Sequence, residues 1–102
     1  MTRWRVTFAP SARRQVREAV AWWIENRRDA PTLLVDELDE VVGLLATSPH
    51  VGIAYEAYKS RPLRRLFLPG SGYHVYYAID ERRGRVTVRA LWHGRRGSPL
   101  SF

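Results

Sequence analysis

The chain has 102 residues, no cysteine and a single lysine, Lys59. The missing cysteine excludes disulfides, thiolate-bound metals and a cysteine nucleophile together. It suits a reducing compartment without requiring one. No window approaches the roughly 18 apolar residues that a membrane span needs. The opening MTRWRVTF has no apolar run of the kind a signal peptide carries, so a cytoplasmic location is the expectation. Three scattered histidines, His50, His74 and His93, make no metal-site spacing without cysteines. No cofactor is expected. Repeats, linkers and low-complexity tracts are absent too, and the length suits one domain over residues 1–102.

What the chain does have is apolar content and basic charge. Hydrophobic residues make up 45% and include four Trp, enough to argue for a packed core. Lys and Arg number 17 against 10 Asp and Glu, a net charge of +7. With Lys59 the only lysine, every other basic residue is arginine, which forks onto carboxylates and phosphates as lysine cannot. An arginine-rich proteome would account for the Arg-over-Lys bias, but less well for the net charge. An anionic partner is implied, either nucleic acid or an acidic protein.

Periodicity then orders the chain. Arg3 to Phe8 puts Trp4, Val6 and Phe8 on one face and Arg3, Arg5 and Thr7 on the other, a short strand. Ala9-Pro10-Ser11 opens a helix with proline near its first position. Along it Ala12, Val16, Ala19, Val20, Trp23 and Ile24 recur at helical spacing, and Asn26–Asp29 ends it. A second helix begins around Asp29–Pro31. Its stripe is Leu34, Leu38, Val41 and Leu45, widened by Val35 and Val42, with Asp36, Glu37, Asp39 and Glu40 outward. Thr47-Ser48-Pro49 stops it, and Pro49 to Arg61 reads as a loop.

The final third, Arg64 to Arg96, holds most of the strand formers. Leu66 and Leu68 alternate with Arg65 and Phe67, and Pro69-Gly70-Ser71-Gly72 breaks the chain. Val75, Tyr77 and Ile79 alternate with His74, Tyr76 and Ala78. After a turn at Asp80–Arg85 with Gly84 free for a positive φ, Val86, Val88, Ala90 and Trp92 alternate with Thr87, Arg89 and Leu91. This is a three-stranded antiparallel meander. The predicted fold is α+β: an N-terminal strand, an antiparallel helical hairpin, then the meander. The first strand is expected to pair antiparallel with the second, giving a four-stranded sheet covered on one face by two helices.

The succession of short motifs resembles a known family over nearly the whole chain. It runs F-x-P-x-A at Phe8–Ala12, Trp22-Trp23, D-E-L at Asp36–Leu38 and R-R-L-F-L-P at Arg64–Pro69. Y-x-V-Y-Y-x-I-D follows at Tyr73–Asp80 and V-x-V-x-A-L-W-H-G-x-R at Val86–Arg96. Order, spacing and length together are similar to the RelE/ParE superfamily of type II toxin–antitoxin toxins. The resemblance implies a growth-inhibiting bacterial toxin of the plasmid-stabilisation type. It also implies an acidic antitoxin that wraps the toxin in a hetero-oligomer. Two activities divide the superfamily: RelE-like members cut mRNA in the ribosome, and ParE-like members inhibit DNA gyrase without being nucleases. The H-G-x-R ending suits the ParE-like group, so gyrase inhibition is preferred and mRNA cleavage is the alternative.

Metal-free RNA cleavage needs a base for the 2′-hydroxyl, cations for the phosphorane and an acid for the leaving oxygen. For that alternative the catalytic candidates are His93, Arg64 and Arg65. Arginine stabilises an oxyanion but is a poor base, whereas His93 could serve as acid or base. Arg64 and Arg65 split across their strand, so one of them at most joins a given surface. Arg61, Tyr73, Arg95 and Arg96 are the target-binding candidates. Trp22 and Tyr76 are candidates for antitoxin binding, because adjacent Trp22 and Trp23 cannot both face the core. His74 reads as a surface or edge residue and His50 as a loop residue. A basic nucleic-acid-binding module is a further alternative, opposed by the lack of helix-turn-helix spacing, RNA-binding aromatic motifs and a zinc pattern.

Overall fold

The computed structural model of the chain describes residues 3–55 and 62–94. Strand β1 (Arg5–Phe8) leads into helix α1 (Pro10–Asn26), which has proline in its first turn. Helix α2 (Leu33–Thr47) is followed by a short 3-10 turn at Pro49–Val51 and by strand β2 (Ile53–Tyr55). Strands β3 (Leu63–Phe67), β4 (Tyr73–Asp80) and β5 (Arg85–His93) form the antiparallel meander. The second helix starts later than Asp29–Pro31. The linking residues instead form hydrogen-bonded turns at Ala30 and Leu33, with the Trp23 indole donating to the Ala30 carbonyl at 2.8 Å.

The sheet has five strands in the order β1-β5-β4-β3-β2, so the expected four become five. The additional strand is β2, in the stretch read as a loop, which pairs antiparallel with β3. That one strand also changes the pairing expected for β1. Three alternating residues gave too short a pattern to read, yet a strand there reverses the direction of everything after it. The strand expected second, β3, therefore runs the same way as β1. β1 pairs parallel with β5 at the far edge, Val6 opposite Val86 and Phe8 opposite Val88.

The helical hairpin covers one face of this sheet. Ala12, Ala19 and Trp23 from α1 and Leu34, Leu38, Val41 and Leu45 from α2 pack on Val75, Tyr77, Val86, Val88 and Leu91. Ile24 and Val35, placed on the helix stripes by spacing, are exposed instead. The opposite face carries a smaller cluster of Leu63, Tyr76 and Ala90, bordered by Tyr55, Ala78 and Trp92. In β5 the alternation does not run through. Tyr77 pairs with Val88 and Tyr76 with Ala90, which leaves Arg89 as an extra residue. Such a bulge switches the side-chain parity of the strand. Val86 and Val88 face the helices, but beyond the bulge Leu91 does so, and Ala90 and Trp92 turn to the other face.

Candidate functional site

Three groups of polar and aromatic side chains stand out, each fixed by strand register. The first lies where β2 meets the sheet. Tyr77 is fully buried, and its hydroxyl donates to the Pro49 carbonyl at 2.7 Å while accepting from the Gly52 N–H at 2.9 Å. Beside it, Arg64 donates through Nη1 to the carbonyls of Gly52 (2.7 Å) and His50 (3.2 Å). Burial pushes the Tyr77 hydroxyl above its ordinary pKa, offset by the Gly52 hydrogen bond and the Arg64 charge. The guanidinium of Arg64 thus fastens the turn before β2 to the sheet.

The second group is on the open face. Arg65 pairs in register with Tyr76 and lies 5.8 Å from the Tyr55 ring centroid, a cation–π distance. Tyr76 packs edge-on to Tyr55 at 5.0 Å, is 5% exposed, and lies 6.2 Å from the His74 ring. The Phe67 ring centroid lies 5.0 Å from that of His74. Burial, then the charge of Arg65, then that of His93 hold the His74 pKa below its ordinary value. A neutral imidazole results, and its Nδ1 is buried with no hydrogen-bond partner among the described residues.

The third group surrounds a groove of about 490 Å³ at the end of the sheet, between the last turn of α1 and the loop joining β3 to β4. His93 enters it from β5, its ring edge-on to the buried Tyr73 at 5.0 Å. Arg27 enters from the end of α1, with its guanidinium 5.7 Å from the Trp22 ring and 5.8 Å from that of Trp23. The Glu37 carboxylate holds the loop in place, accepting from the N–H groups of Gly70 (2.8 Å) and Ser71 (3.0 Å). Gly72, at φ 84°, is required there: a Cβ would come within 3.0 Å of His93 Nε2.

The residues singled out from the sequence are therefore distributed rather than gathered. Arg64 and Arg65 face opposite sides of β3. Arg64 pairs with Tyr77 and His93 with Tyr73, four residues apart on β4, roughly 13 Å along the strand at about 3.3 Å per residue. Trp22 is 49% exposed and Tyr76 is covered. Arg61, Arg95 and Arg96 lie outside the described residues. Sequence reasoning passed over Arg27, Glu37 and His74. For Arg27 a signal existed, since it stands four and five residues beyond Trp23 and Trp22 on one helix. For His74 the signal was its shared parity with Tyr76. Among the described residues no three of His, Cys, Asp and Glu gather to hold a metal ion, and no helix is long and apolar enough to cross a membrane.

The architecture is shared with solved toxin–antitoxin structures. A chain of the archaeal RelE–RelB complex from Pyrococcus horikoshii OT3 matches at a TM-score of 0.65 and 20% identity, covering 94% of this chain and 100% of that one. A chain of the RelBE2 complex from Mycobacterium tuberculosis matches at 0.62 and 18%, covering 94% and 97%. The isolated RelE toxin of E. coli matches at 0.52 and 18%, covering 93% and 88%. A comparison with curated proteins finds no match. The fold is thus that of the RelE/ParE superfamily toxins. Residues 6–97 match the family described as "ParE toxin of type II toxin-antitoxin system, parDE", and the chain belongs to that family.

Proposed function

We propose that this toxin acts in the cytoplasm by inhibiting DNA gyrase, and that a cognate acidic antitoxin neutralises it in a hetero-oligomer. The observation that carries the target is the dispersal of the groups a metal-free ribonuclease would have to bring together. Arg64 spends its guanidinium on two backbone carbonyls. Arg65 lies on the opposite face of β3, and His93 stands four residues along β4 from the level of Arg64. A phosphorane needs its cation and its acid within hydrogen-bond reach of one phosphate. The ParE-type family match points the same way. For the antitoxin, the support is that related folds are solved as toxin–antitoxin complexes, together with the charge of +7.

One arrangement favours mRNA cleavage as the second reading. On the open face, neutral His74 and the cationic Arg65 are close enough for the arginine to depress the histidine pKa, and a neutral imidazole is a competent base. Expression without an antitoxin tests toxicity, with growth arrest as the expected result. Purified protein added to gyrase tests the target: loss of supercoiling, or accumulation of cleaved DNA, supports the proposal. Intact supercoiling at saturating toxin defeats it.

A further inference from the structure

The groove between α1 and the β3–β4 loop has a composition that selects its occupant. Its one arginine among the described lining residues is Arg27. That guanidinium rests against two indole rings and has no carboxylate partner among the described residues. A cation braced on aromatic faces is oriented in advance, so little ordering entropy is lost when a carboxylate forks onto it. The loop's own donors at Gly70 and Ser71 are already engaged by Glu37, which leaves charge recognition to the side chains. Trp22, 49% exposed, stands beside this cation, and Phe67, 55% exposed, lines the same groove.

A nucleic-acid strand is a poor fit here. It asks for a track of cations following successive phosphates, whereas the described lining of the groove offers one guanidinium. An isolated arginine among Trp and Phe, in a concavity, is the composition of a protein-interface anchor site. The depth is maintained by glycine: a side chain at Gly72 would meet His93.

We infer that this groove is the surface with which the toxin grips its protein target. It takes an acidic segment, with a carboxylate on Arg27 and an apolar side chain against Trp22 or Phe67. The inference rests on the gyrase reading. Its test compares wild type, Arg27→Glu and Phe67→Ala, each checked by circular dichroism, for the concentration that half-inhibits gyrase supercoiling. Antitoxin affinity is measured on the same three proteins. The expected result is a rise of roughly tenfold or more for Arg27→Glu and roughly fivefold for Phe67→Ala, with antitoxin affinity changed less than threefold. A wild-type protein that leaves gyrase untouched overturns the gyrase reading and this inference with it. Wild-type inhibition retained in full by both variants overturns the inference alone. Antitoxin affinity lost while gyrase inhibition stays unchanged assigns the groove to the antitoxin, and also overturns it.

Discussion

Replacing Tyr77 by phenylalanine removes one oxygen and leaves the ring in place. The side chain is fully buried, so no water reaches the gap. The Pro49 carbonyl loses its donor at 2.7 Å and the Gly52 N–H its acceptor at 2.9 Å. A buried group left unsatisfied costs about 1–3 kcal/mol, so two of them predict a loss of about 2–6 kcal/mol. Folding stabilities of small domains are about 5–15 kcal/mol in total, and each lost kcal/mol lowers Tm by about 4 °C or more at this size. The expected fall is therefore on the order of 8–24 °C. Urea and thermal unfolding followed by circular dichroism measure it. Arg64→Met removes the neighbouring clamp on the same Gly52 and should couple to Tyr77→Phe by about 0.5 kcal/mol or more in a double-mutant cycle. A Tm within about 2 °C of wild type for Tyr77→Phe would refute the reasoning, because it would mean those backbone groups are not held by the tyrosine.

Gly72→Ala forces a side chain into a φ of 84° and against His93 Nε2. It should destabilise the protein by about 1–2 kcal/mol and move the His93 ring resonances in NMR spectra; unchanged shifts would contradict the packing. The His74 pKa lies below its unfolded value of 6.5, so the unfolded chain binds that proton more readily. Stability should fall as pH drops below about 6.5 and level off once pH passes the folded value. His74→Gln should flatten that part of the profile, and equal slopes in chemical denaturation of the two proteins would count against it. Association with the antitoxin should slow as salt rises, because charge of +7 steers an acidic partner at a distance. Stopped-flow rates that ignore ionic strength would remove the steering.

The helices and the meander were legible because their apolar residues repeat often enough to reveal a period, as Leu34, Leu38, Val41 and Leu45 do. β2 was not, since three residues, Ile53–Tyr55, are too few to show alternation. The partner of β1 is a tertiary choice: the pattern of Val6 and Phe8 marks a buried face but carries no information on which edge receives it. The bulge at Arg89 was hidden for a different reason. Ala90, Leu91 and Trp92 are all apolar, so the switch of faces leaves no polar marker in the sequence. Among the candidate site residues, their strands were readable and their roles were not. Arg64 has the sequence signature of a free cation, and only the return of the chain at His50–Gly52 shows what it binds.

The most direct measurement places wild-type toxin and His93→Ala side by side in two assays, gyrase supercoiling and mRNA integrity in a translating extract. The account predicts that wild type inhibits supercoiling while mRNA stays whole. It also predicts that His93→Ala, folded by circular dichroism, keeps most of that inhibition, since no proton transfer is asked of the histidine. Specific mRNA cuts by the wild type, reduced roughly 10²–10⁴-fold by the substitution as loss of a positioned acid or base would do, with supercoiling untouched, would contradict it.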